Sequence, residues 1–161
     1  MLETSAIKAM WRLNESTAFQ AQKQTESLFV EIYQYCDYHF DLRRGAKVSA
    51  FALAMSSGQA IEQFSYQWFM TRFEDFVYLD RIVVDSSSRR QGVGSGLFEL
   101  CIAKAKADKK TALVCQVHDR PSNKIGHLFV QSMGFHAIES VMLPTREIVT
   151  MYQRSIAIAT P

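Results

Sequence analysis

Near the start of the chain, apolar residues recur at helical spacing. Ile7, Met10 and Trp11 fall on one side of a helix expected over Ser5 to Asn14. A second helix is expected from about Thr25 to Tyr35, with Leu28, Phe29, Ile32 and Tyr35 on one face. The period then changes. Tyr38, Phe40 and Leu42 alternate with polar residues, which is the pattern of a strand. Arg44-Gly45 reads as a turn and Lys47 to Met55 as a returning strand, so the two make an antiparallel hairpin. Ser56 to Phe76 carries Phe64, Tyr66, Trp68, Phe69, Phe73 and Phe76 without a clean period. Two readings stand for it: core packing beneath a long loop or short helix, or an aromatic lid over a substrate.

The second half alternates element types. Phe76 to Val84 is a buried strand, Asp85 to Arg90 a polar loop, and Gly92 to about Asp108 a helix with Leu97, Leu100, Cys101 and Ala105 on one side. Thr111 to Val117 reads as a strand. Asn123 to Met133 reads as a helix with Ile125, Leu128, Phe129 and Ser132 facing inward, ended by Gly134. His136 to Leu143 and Glu147 to Ile156 form a closing hairpin around Pro144-Thr145. This order predicts one α/β or α+β domain over residues 1–161, with a mixed sheet.

Composition narrows the class. A hydrophobic share of 48% supports a sizeable core, and a net charge of +2 argues against nucleic acid or an anionic membrane as the main partner. Cys36, Cys101 and Cys115 are scattered through apolar stretches, as expected of reduced thiols in the cytoplasm. There is no C-x-x-C or H-x-x-x-H pattern, so no metal is expected. Neither a signal-peptide pattern nor an apolar run of transmembrane length is present.

The most informative stretch runs from Val83 to Gly96. A hydrophobic strand ends, a serine-rich loop follows, and Arg89-Arg90-Gln91-Gly92-Val93-Gly94-Ser95-Gly96 opens a helix. The first N–H groups of a helix have no internal partner, and the helix dipole adds partial positive charge there. Glycine removes the Cβ atoms that would hold a phosphate away. With Arg89 and Arg90 alongside, the segment suits a phosphate or pyrophosphate. A dinucleotide fingerprint would need glycine where Leu97 stands, and a P-loop would need a Gly-Lys-Ser/Thr ending. The competing explanation is that the glycines only permit close helix-to-sheet packing.

Arg89-Arg90-Gln91-Gly92-Val93-Gly94 resembles the R/Q-x-x-G-x-G/A signature of the GNAT superfamily of N-acetyltransferases. Asn123 and Gly126, with Phe129 and Gly134-Phe135, resemble its later N-x-x-A…F-Y-x-x-x-G-F segment, and Tyr78 to Val84 its central strand. The stretches YLDRIVVD and CQV…P-x-N are also similar to a little-characterised bacterial branch of predicted GNAT acetyltransferases. The resemblance implies a mixed, mostly antiparallel central sheet with helices on both faces and a splay between two central parallel strands. It implies acetyl-CoA as cosubstrate and an amine of a small molecule or peptide as acceptor, attacking the thioester directly. Main-chain N–H groups of Gln91, Gly92, Val93, Gly94, Ser95 and Gly96 would hold the pyrophosphate. Main-chain groups of Ile82 and Val84 would pair with the pantetheine arm, beside which Asn123 would lie. An N–H near Val83 or Val84 would face the oxyanion. Asp80 is the first candidate for the base and Tyr78 the reserve, on the expectation that Tyr78, Asp80, Ile82 and Val84 share one face of the strand. An ion pair with Arg81 is the structural alternative for Asp80.

Two departures from the family pattern stand out. Val130 occupies the place of the usual tyrosine, which protonates the departing thiolate. The thiolate would then leave unassisted, or His118, Cys115 or Ser132 would supply the proton. A catalytically weak acyl-CoA-binding regulatory module is the alternative reading. Only Met1 to Thr4 precede the first helix, which leaves little room for the family's initial strand. An open sheet edge there would favour a homodimer. His39, His127 and His136 read as packed or solvated residues, and Lys104, Lys106, Lys109 and Lys110 as a solvated helix face.

Overall fold

A computed structural model describes residues 4–19 and 22–157. The place of an initial strand, Met1 to Glu3, lies outside them. The chain runs α1 (Thr4–Thr17), α2 (Glu26–Tyr35), β1 (Tyr38–Arg44), β2 (Lys47–Ser56), α3 (Phe64–Met70), β3 (Phe76–Val84), α4 (Val93–Ala107), β4 (Ala112–Arg120), α5 (Lys124–Ser132), β5 (His136–Met142) and β6 (Ile148–Ser155). Among the described residues the strands form one six-stranded sheet in the order β1-β2-β3-β4-β6-β5. Every neighbouring pair is antiparallel except β3 with β4.

Alternation along β2 divides the core between the two faces of this sheet. Phe51, Leu53 and Met55 pack with Met10 of α1, Phe29 of α2 and Phe69 of α3. Ala50, Ala52 and Ala54 face the other way, where their small side chains admit Leu97, Phe98 and Cys101 of α4. The aromatics between β2 and β3 belong to this core. Tyr66, Trp68 and Phe69 are buried on α3, and Tyr66 and Phe69 pack on Phe76 and Tyr78. The packing reading of that segment therefore describes it, with a helix where no period was legible.

Three inward faces differ from expectation. On α2 the buried residues are Phe29 and Ile32, while Leu28 is exposed. On α4, Phe98 and Ile102 are buried and Leu100 is exposed. On α5, Val130 is the buried residue, whereas Ile125 and Leu128 are exposed. The apolar residues of α5 do not all serve the core, because Ile125 lines a cavity described below.

Candidate active site

β3 and β4 pair at only three positions, Phe76↔Ala112, Val77↔Leu113 and Tyr78↔Val114. Beyond Tyr78 the two strands separate and leave a gap in the middle of the sheet. Asp85 donates its N–H to Ser49 O at 2.8 Å, on the β2 side. By the alternation of an antiparallel ladder, Val83 also turns its N–H to β2, whereas Ile82 and Val84 turn theirs to the gap. The expectation of an oxyanion donor at Val83 is corrected on that ground.

A cavity of about 690 Å³ opens at this gap. Its wall includes Ile82, Val83 and Val84 of β3, Arg89 and Arg90 of the loop, and Gly92, Val93, Gly94 and Ser95 at the start of α4. Asn123, Ile125, Gly126 and Phe129 close the opposite side, and Thr17, Ala18, Phe19 and Gln22 cover it from the end of α1. Gly92 caps α4 in the left-handed region at φ 75°. A Cβ added at Gly92 or Gly96 would meet nothing within 4 Å, so close packing does not explain these two glycines. At Gly94 a Cβ would reach the Phe129 ring at 3.4 Å, an ordinary contact.

Two expected cofactor residues stand apart from the cavity wall. Gly96 donates its N–H to Gly92 O at 2.9 Å, so the helix already uses that donor and it is not free for a phosphate. Gln91 is exposed in the preceding turn and does not line the cavity. Arg89 is engaged by the protein itself: Nη2 donates to Thr17 O at 3.1 Å and Nε to Val84 O at 3.4 Å. This ties the end of α1 to the cradle. Asn123 caps α5, its Oδ1 accepting the Gly126 N–H at 3.0 Å.

The expected single face for Tyr78, Asp80, Ile82 and Val84 does not exist. Leu53 pairs with Arg81 and Ala54 with Leu79, so Asp80 is an extra residue in the ladder. The bulge reverses the alternation after it. Tyr78 packs in the α1–α3 core, while Ile82 and Val84 pack on the α4 side. It also turns Asp80 and Arg81 to the same side, where Asp80 Oδ2 and Arg81 Nε form an ion pair at 2.5 Å, with side chains only 2% and 4% exposed. Arg81 Nη1 reaches Asn14 Oδ1 and Gln22 O, both at 3.2 Å.

Tyr78, Asp80 and Arg81 line a second cavity, of about 330 Å³, with Gln63, Gln116 and His118. Leu28, Glu31 and Glu62 lie at its α2 and α3 side. Gln22 lines both cavities, and the Phe19 ring, part of the first, lies 5.6 Å from the ring of His118 in the second. Burial raises the Tyr78 hydroxyl well above the usual tyrosine range, which disfavours the phenolate that a base would require. His118 Nε2 meets Glu147 Oε2 at 2.7 Å, a partner supplied by the β5–β6 turn. Nothing near Glu147 in the sequence signals this contact. Cys115 faces the α4 core, away from His118, and burial raises its thiol, so the two make no nucleophilic pair. Val130 is buried in that same core. Ser132 donates to Phe129 O at 2.7 Å on an exposed turn of α5. Among the described residues no group of His, Cys, Asp and Glu could hold a metal ion.

A model of the acetyltransferase (GNAT) family matches residues 8–135. No curated protein matches the sequence significantly. Among solved structures, the ribosomal-protein-S18-alanine N-acetyltransferase from Escherichia coli superposes with a TM-score of 0.72 at 22% identity, covering 99% of this chain and 93% of its own. A putative acetyltransferase of the GNAT family from Desulfovibrio desulfuricans gives 0.76 at 13% identity, covering 98% and 96%. An aminoglycoside 6'-N-acetyltransferase complexed with coenzyme A gives 0.71 at 8% identity, covering 99% and 95%.

Proposed function

The chain belongs to the GNAT acetyltransferase family, and from that premise we propose that it is an acetyl-CoA-dependent N-acetyltransferase with its two substrates in the two cavities. The observation that carries this reading is the gap between β3 and β4, with a glycine cradle at one end and a second cavity at the other. The pyrophosphate of coenzyme A sits on the free N–H groups of Gly92, Val93, Gly94 and Ser95, with Arg90 beside it. The pantetheine arm follows the open edge of β3 and pairs with Ile82 and Val84 as an added strand would. Asn123 and Phe129 flank it.

The acceptor amine enters through the smaller cavity and attacks the thioester carbonyl in the gap. The Ile82 N–H, the deeper of the two donors that face the gap, meets the developing oxyanion. The thiolate leaves without a protein acid in the position of Val130. A thiol of pKa about 8.5 is an adequate leaving group near neutral pH. The acceptor class is a primary amine on a small molecule or peptide. The free, buried cysteines fit the cytoplasm, and β1, an outer strand of the sheet among the described residues, is an edge through which a homodimer would form. Calorimetric titration with acetyl-CoA, followed by thiol release against a panel of amines, tests the reading. Saturable binding with amine-dependent release supports it; absence of binding overturns it.

A further inference from the structure

The reaction needs a base, because an ammonium has no lone pair with which to attack. Asp80 lies in the acceptor cavity but is held by the Arg81 guanidinium at 2.5 Å. A proton placed on Asp80 would leave that guanidinium buried without its counter-charge, which is costly. His118 stands in the opposite situation. Its Nε2 lies 2.7 Å from Glu147 Oε2. An ionised carboxylate only accepts hydrogen bonds, so Nε2 carries the proton and the lone pair is on Nδ1. A second proton at Nδ1 creates an imidazolium whose counter-charge is already in contact. His118 also stands where the two cavities meet, beside Phe19 of the cofactor cavity.

We propose that His118 is the catalytic base of this chain and that Glu147 is its positioning residue. The assignment rests on the acetyltransferase reading given above. The Nδ1 lone pair takes one proton from the acceptor ammonium. The freed amine forms the new C–N bond at the thioester carbonyl. Collapse of the tetrahedral intermediate breaks the C–S bond and leaves the electron pair on sulfur. The surplus proton on the acetylated nitrogen passes to that thiolate, and His118 returns its own proton to water. The charged groups around His118 are Glu147 of the hairpin turn, in contact with it, and, on the wall of the same cavity, Asp80 and Arg81 from β3, Glu31 from α2 and Glu62 from the segment before α3. The imidazolium therefore forms among carboxylates, with one guanidinium already paired.

Two measurements on the full chain test this. Long-range nitrogen–proton correlation spectroscopy of histidine-labelled protein reads the resting tautomer and needs no acceptor. A proton on Nε2 is expected, and a neutral ring protonated on Nδ1 overturns the assignment. The second is the pH dependence of thiol release with the best amine of the panel. His118→Ala is expected to lose about 100-fold or more in kcat, while its acetyl-CoA affinity by calorimetry stays unchanged. Glu147→Gln is expected to move the acid limb of kcat/KM to lower pH, because the imidazolium loses its counter-charge. Full activity in His118→Ala, or an unmoved acid limb in Glu147→Gln, overturns the proposal. Wild-type protein that fails to bind acetyl-CoA would instead overturn the cofactor reading, so the two failures are distinguishable.

Discussion

Gly92, Gly94 and Gly96 look equivalent in the sequence but occupy different physical situations. Gly92 holds a left-handed backbone at φ 75°, so Gly92→Ala is expected to cost about 1–2 kcal/mol in a denaturant titration. Gly96 faces open space with its N–H inside the helix. Gly96→Ala should therefore gain up to about 1 kcal/mol with acetyl-CoA affinity intact. Gly94→Glu places a carboxylate on the cavity wall and is expected to abolish acetyl-CoA binding while the circular dichroism spectrum stays native. Normal affinity in that variant would remove the cradle assignment. The cysteines give a separate check. Burial pushes the Cys101 thiol up to about 12 and raises Cys36 and Cys115 as well. All three should resist alkylation at pH 8 in native protein and react once it is unfolded. Alkylation of native Cys115 would contradict its burial.

At the scale of elements, the bulge at Asp80 decides what the candidate site contains. Residue patterning reveals β3 well, since FVYLDRIVV reads as a buried strand whichever residue is extra. It cannot reveal the extra residue, because nothing in the strand's own composition fixes its register against β2. The bulge reverses the side on which each later residue lies, and so the shared face expected of Tyr78, Asp80, Ile82 and Val84 fails. Asp80 is thereby turned into the partner of Arg81. Asp80→Asn is expected to cost about 3 kcal/mol, because it leaves a buried guanidinium uncompensated. The double variant Asp80→Asn/Arg81→Met should recover part of that loss in the same denaturant titration. A single variant as stable as wild type would mean that the pair is dispensable. Asn123 bonds the Gly126 N–H, and Asn123→Ala is expected to cost about 1 kcal/mol by thermal denaturation.

At the scale of the molecule, the sequence revealed the order of elements, the mixed sheet and most of the residues that line the cavity at the β3–β4 gap, because local patterning and one contiguous loop determine them. The second cavity was less legible, since it collects residues from α2, the segment before α3, β3 and β4 that no short motif unites. Glu147 lies outside its lining and reaches His118 from a distant hairpin. The same architecture makes the two halves of the sheet depend on each other weakly, as only three residue pairs join β3 to β4. A ligand that fills the gap and pairs with the free edge of β3 should therefore stabilise the whole fold. Acetyl-CoA at about 100 times its Kd adds ~2.7 kcal/mol by mass action. For a chain of this length each kcal/mol is worth about 2–4 °C, so a rise in Tm of about 5–10 °C is expected in a thermal scan. Coenzyme A without the acetyl group should give a rise of similar size, since the cradle and the β3 edge contact parts that both molecules share. Gly94→Glu should show neither. A wild-type Tm that does not move with saturating acetyl-CoA would mean that the gap is not a ligand site, whatever the cradle resembles.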